Sequence, residues 1–243
     1  MKIVGAAVIG GYSIDLSSAT DQVISFAGSA NSGIAQTGFA NVDVSGTTGN
    51  YGADITGRST AASSIIGTAN ADNVVAGSGS DTITGGSGND IINVGSGTDT
   101  IRYSARGQTH LQVTVGTAIA SGDVLTGIDQ ITGMARGDLI DLSSIASSSG
   151  VSTATGFNLS IRTTGLSGAT GQDFFQFSRG IFTSTGLWTY SSTGPDVLLQ
   201  WDANVGQVSA AANTQDIESV ILVGSGGTFT GLTANTAGVL LYT

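Results

Sequence analysis

Four aspartates recur at intervals of nine: Asp72, Asp81, Asp90 and Asp99. Two residues after each stands a β-branched apolar side chain, in turn Val74, Ile83, Ile92 and Ile101. Written in nines, residues 67–102 read GTANADNVV, AGSGSDTIT, GGSGNDIIN and VGSGTDTIR, with nothing inserted. The last three copies carry glycine at positions two and four: Gly77 and Gly79, Gly86 and Gly88, Gly95 and Gly97. Carboxylates and bare glycine carbonyls are hard oxygen donors, and the chemistry they suit is Ca²⁺ coordination. A glycine-rich nonapeptide of this kind specifies a parallel β-roll that holds the ion in its turns.

The roll must place these groups as follows. Glycine permits the sharp bends and close carbonyl approach that a tight turn requires. The alternation around position eight makes a short strand whose branched side chain points inward. If one nonapeptide is half a coil, copies two apart stack on the same side. Asp72 then faces Asp90, and Asp81 faces Asp99, across one inter-strand step of about 4.8 Å. Two carboxylates at that separation repel by roughly 1 kcal/mol in water and about 3 kcal/mol at an effective dielectric of 20. The expectation is a roll that is loose or disordered without Ca²⁺ and folds when the ion binds.

The remaining composition fits an all-β chain. Of 243 residues 38 are glycine and one is proline, so short strands and tight turns are favoured over long helices. A 40% hydrophobic content is too high for a disordered linker. With 17 acidic against 7 basic residues the formal net charge is −10, and no basic stripe exists to displace counterions. Nucleic acid is excluded as a partner on that ground, and anionic membrane surfaces are disfavoured. No cysteine is present, which removes disulfides and cysteine-based zinc sites. The opening MKIVGAAVIGGYS has a short apolar run without a cleavage motif and reads as a first strand, not a leader. No stretch is long enough for a transmembrane helix, so membrane insertion is not expected.

Three regions are expected: an N-terminal strand region at 1–66 stacking on the roll, the roll itself at 67–102, and a C-terminal β cap at 103–243. Short-strand β layers should therefore flank the roll on both sides. Early strands are predicted at Lys2–Ile9, Tyr12–Leu16, Gln22–Phe26, Phe39–Val44 and Ala53–Ile55. Later ones are predicted at Leu111–Val115, Phe157–Arg162, Phe174–Phe177, Trp188–Tyr190, Val197–Trp201, Ser219–Val223 and Val239–Tyr242. A brief helix is expected only at Asn213–Ser219. The phrase YSIDLSS at 12–18 recurs in part as LIDLSS at 139–144, suggesting related units on either side of the roll. Changes of pattern at 66 and 102 need not be cuts in the fold.

The nonapeptides resemble the calcium-binding repeats of the RTX (repeats-in-toxin) family, substrates of type I secretion. Copy one departs, with Thr68 and Asn70 at the usual glycine positions. The segment after the repeats resembles the family's capping region, with Asp129 and Ile131, then Gly137-Asp138 leading into Ile140-Asp141-Leu142-Ser143. The tail, DVLLQWD at 196–202 and DIESVILVG at 216–224, is similar to the terminal strands of such proteins. The resemblance implies export through a C-terminal signal and folding outside the cell when calcium is met. It also implies a further calcium in the cap through Asp129 and Asp138, with Asp141 beside them.

Other chemistry finds little support. His110 is the only histidine and lies in a polar stretch, expected to be a surface loop, without a nucleophile elbow in the chain. No H-E-x-x-H is present, and the glycine runs have Asp where a phosphate loop needs Lys. Arg136 beside Asp138 suggests a calcium-dependent lyase only weakly; an exposed arginine is the plainer reading. Seven aromatics between 174 and 201 read as the core of the C-terminal layer, with carbohydrate stacking as the alternative. The function expected is therefore non-enzymatic: an extracellular or cell-surface structural protein that partners itself in a layer, fibre or matrix. The alternative is a calcium-dependent module for cell-surface polysaccharide, or the exported tail of a larger enzyme, against which an initial Met1 argues for a whole chain.

Overall fold

The computed structural model describes residues 2–5, 13–15, 23–29, 34–37, 40–48, 50, 52–105, 107–112, 119, 121–144, 161–162, 175–202, 217–227, 232–236 and 239–242. Strands broken by glycine-rich turns, most of them three or four residues long, alternate between two sheets. One sheet takes β1 (Lys2–Gly5), β3 (Val23–Ser29), β5 (Asn41–Thr48), β7 (Ser64–Ile66), β9 (Thr82–Thr84), β11 (Thr100–Arg102) and β14 (Leu139–Asp141). The other takes β2 (Ser13–Asp15), β4 (Ile34–Thr37), β6 (Ala53–Thr56), β8 (Asn73–Val75), β10 (Ile91–Asn93) and β13 (Asp129–Thr132). Every neighbouring pair among them is parallel. This is the two-sheet parallel β-roll expected from the repeats.

Inside the roll the sequence period becomes a packing period. Val74 is buried between two exposed neighbours, and Ile92 likewise, as a strand with one covered face requires. Ile55, Val74, Ile92, Ile131 and Leu222 are in register along one sheet. Val42, Ile65, Ile83, Ile101 and Ile140 are in register along the other. All ten are buried in one continuous core. Each contributes about 1.5–3 kcal/mol of apolar burial.

The sheets cross residues 66 and 102 without a break, so the N-terminal strands and the repeats share one pair of sheets. After β13 and β14 the topology turns antiparallel. β19 (Ile217–Leu222) lies parallel on β13, and β18 (Asp196–Asp202) and β16 (Phe175–Phe182) follow it in antiparallel order. β12 (His110–Gln112) pairs with β19, β17 (Trp188–Tyr190) with β16, and β15 (Ile161–Arg162) with β16. On the first sheet β21 (Val239–Tyr242) covers β14, and β20 (Leu232–Thr236) covers β21. A 3₁₀ turn spans Ser225–Gly227.

Several expectations are corrected here. Within the predicted helix Asn213–Ser219, residues 217–219 begin strand β19, and 213–216 lie outside the described residues. Val220 and Leu222 enter the main core while Ile221 enters a second one. The predicted strand Ser219–Val223 is this same element, begun two residues earlier at Ile217; a strand covered on both faces carries no alternation to mark its start. β4 was not anticipated. His110 opens strand β12 opposite Ser219 and is not in a loop. Of the predicted strand Phe157–Arg162, only Ile161–Arg162 is described, and most of Leu111–Val115 lies outside the described residues. The echoed phrases form β2 and β14, in opposite sheets.

Candidate metal centre

The turns of the roll carry the aspartates on its two edges, and each edge forms a ladder. Asp90 Oδ1 accepts a hydrogen bond from the Asp72 amide at 2.9 Å, and Asp129 Oδ1 accepts from the Asp90 amide at 3.0 Å. On the opposite edge Asp99 Oδ1 accepts from the Asp81 amide at 2.8 Å, and Asp138 Oδ1 from the Asp99 amide at 2.9 Å. Each ladder begins one coil earlier, where Asp72 Oδ1 accepts from Ala53 and Asp81 Oδ1 from Ser63, both at 2.5 Å. The stacked pairs of the repeats are thus adjacent, and Asp129 and Asp138 extend them by one rung each.

The continuation was legible in part. Asp129 and Asp138 are nine residues apart, as are Ile131 and Ile140. They are two further nonapeptides set in the same frame. What hid them is the surplus before them: Asp129 is 39 residues from Asp90, where the coil before spans 18. That surplus of 21 residues includes β12 and Ile119, which joins Leu125, Ile128, Trp188, Leu198 and Ile221 in the second core.

Glycine makes the turns stack this closely. Gly77, Gly86, Gly88, Gly95 and Gly97 all have φ between +83° and +142°. A Cβ on Gly95 would overlap the Gly77 carbonyl oxygen, and one on Gly97 would overlap that of Gly79. Gly79 itself has no room for a Cβ against the backbone of Ala61 and Ala62. Carbonyl oxygens of one turn therefore sit directly against the next.

The family profile described as RTX calcium-binding nonapeptide repeat (4 copies) matches residues 66–101. Residues 66–101 are RTX calcium-binding repeats. No curated protein matches the chain.

RTX repeats bind Ca²⁺, and the donor set here fits that ion. Asp81, Asp90 and Asp99 are each buried, and the Oδ2 of each meets no hydrogen-bond donor. Burial pushes the Asp90 carboxyl up to about 9, with the Asp129 charge adding to it. Burial likewise raises Asp129 to about 7 and Asp99 to about 6, and holds Asp72, Asp81 and Asp138 above the ordinary range. Buried oxygens left without donors are costly. A divalent cation supplies the missing positive charge and lets these groups ionise. Among the described residues no three acidic or histidine side chains converge, so the turn carbonyls of the RTX array would complete an oxygen cage.

Other candidates separate from the array. Asp141 is engaged by Arg102 at 2.9 Å and by the Ser143 amide, which hold its carboxyl below the ordinary range against the effect of burial. Arg136 is exposed. Phe177, Trp188 and Trp201 are buried, and Phe182 and Tyr190 partly so. Phe174 lies outside the described residues, as does the Phe175 side chain. Missed by sequence reasoning were Tyr103, whose hydroxyl reaches Asp129 Oδ2 at 2.9 Å, and Glu218, which accepts from Trp201 Nε1 at 2.9 Å.

Proposed function

We propose that this chain is a calcium-dependent structural protein that folds on Ca²⁺ outside the cell and associates with copies of itself in a layer, fibre or matrix. The observation that carries the reading is the row of buried, donor-less carboxylate oxygens at Asp81, Asp90 and Asp99. A cytoplasm poor in Ca²⁺ leaves them uncompensated, and a calcium-rich exterior satisfies them. RTX repeats are typical of secreted proteins, and no helix among the described residues is long and apolar enough to cross a membrane.

Support for association comes from the surface. Only 10% of residues are charged and the mean hydropathy is +0.24. On the outer face of the roll Ile91 is 49% exposed and Val75 38%. Apolar side chains on a flat sheet face favour packing against another copy. The proposal assigns no catalytic step to any residue. The test is circular dichroism and electron microscopy of purified chain in millimolar Ca²⁺ and in EGTA. A gain of β signal together with ordered sheets or filaments in calcium is expected. An identical spectrum and melting point in both would remove the folding claim, and a persistent folded monomer would remove the assembly claim.

A further inference from the structure

The six ladder aspartates divide by what their second oxygen meets. In Asp81, Asp90 and Asp99 it meets no donor. These three belong to the copies that carry both glycines, at 77 and 79, 86 and 88, 95 and 97. In the other three a protein group fills the place. Asp72 Oδ2 accepts from the Thr68 amide at 2.6 Å, while the Thr68 hydroxyl donates to Asp72 Oδ1 at 2.9 Å. Asp138 Oδ2 accepts from the Ala135 amide at 2.7 Å. Asp129 Oδ2 accepts from the Tyr103 hydroxyl at 2.9 Å.

We propose that Asp72, Asp129 and Asp138 are calcium-free rungs, closed by Thr68, Tyr103 and the Ala135 amide, and that the ions are confined to Asp81, Asp90 and Asp99. This rests on the calcium reading above and narrows it to named carboxylates. Tyr103 is the clearest substitute for an ion. It is buried, and its ring packs on Trp201 with centroids 5.2 Å apart. The Trp201 indole donates to Glu218, whose other oxygen accepts from the Gly107 amide. The hydroxyl cannot swing off Asp129 without opening the junction between roll and cap. On one edge protein donors close both outer rungs, Asp72 and Asp129, around the bare Asp90 oxygen; on the other only the last rung, Asp138, is closed, and Asp81 and Asp99 stay bare to receive the metal.

The decisive measurement is the number of Ca²⁺ ions bound by the full chain, by competitive chelator titration, for single Asp→Asn variants that keep the Oδ1 acceptor. Asp81→Asn, Asp90→Asn and Asp99→Asn are expected to lose bound calcium or weaken it tenfold or more. Asp72→Asn, Asp129→Asn and Asp138→Asn are expected to keep the wild-type number. A lower number in any of those three, with a folded spectrum in saturating calcium, overturns the assignment of that rung. Should Asp129→Asn fail to fold, Tyr103→Phe decides: one more ion than wild type supports the proposal, and an unchanged number overturns it. Wild-type chain that binds no calcium at all would instead sink the underlying reading.

Discussion

At the scale of single residues the chain is governed by carboxylates that are buried before they are neutralised. A group whose folded pKa exceeds its unfolded value near 4 stabilises the fold only while protonated. For the calcium-free roll that contribution is complete below about 4. It is lost as pH climbs through about 6 at Asp99, about 7 at Asp129 and about 9 at Asp90. In EGTA the melting temperature should therefore fall from pH 5 to pH 9. Calcium binds the ionised form, so its affinity should rise over the same range. Melts at three pH values, with and without the ion, check both signs. A calcium-free melting point that climbs with pH would contradict the buried-carboxylate account.

Strands and turns carry the next level. Ile92 is buried at the middle of β10, between Val74 and Ile131 in the adjoining strands. Ile92→Ala is expected to cost about 2–5 kcal/mol, read from chemical denaturation in calcium. Gly95→Ala should disrupt the turn more locally, because φ is +83° and the Gly77 carbonyl occupies the Cβ position. The loss should show as weakened calcium binding beyond any change in the melting point. These elements were legible because one local period sets turn, strand and inward side chain together. Asp129 and Asp138 kept that nine-residue spacing, yet the 21-residue surplus broke the run that draws the eye. Tyr103 could not have been found: its partner lies 26 residues away, and a single tyrosine carries no period. β19 was expected over Ser219–Val223, but its start at Ile217 was read as helix, since burial on both faces leaves no alternation to mark where the strand begins.

Taken as a whole, the molecule is a roll finished at one end by antiparallel strands. β19 covers β13 and β21 covers β14, so the last rungs at Asp129 and Asp138 are seated against the cap. Deleting residues 217–243 removes both covers and should abolish the calcium-induced β signal. Deleting residues 1–37 removes only the first four strands and should leave it largely intact. Circular dichroism of the two truncations in calcium distinguishes them. Equal damage from both would mean that the cap has no special part in holding the roll.

The Oδ1 of each rung points one way. Asp90 holds the amide of Asp72 and Asp129 that of Asp90; Asp99 holds the amide of Asp81 and Asp138 that of Asp99. An earlier coil is thus clasped by a later one, throughout. On a ribosome each coil must therefore wait for its successor before its own bonding is complete. The turn that has just emerged is always one clasp short of being set.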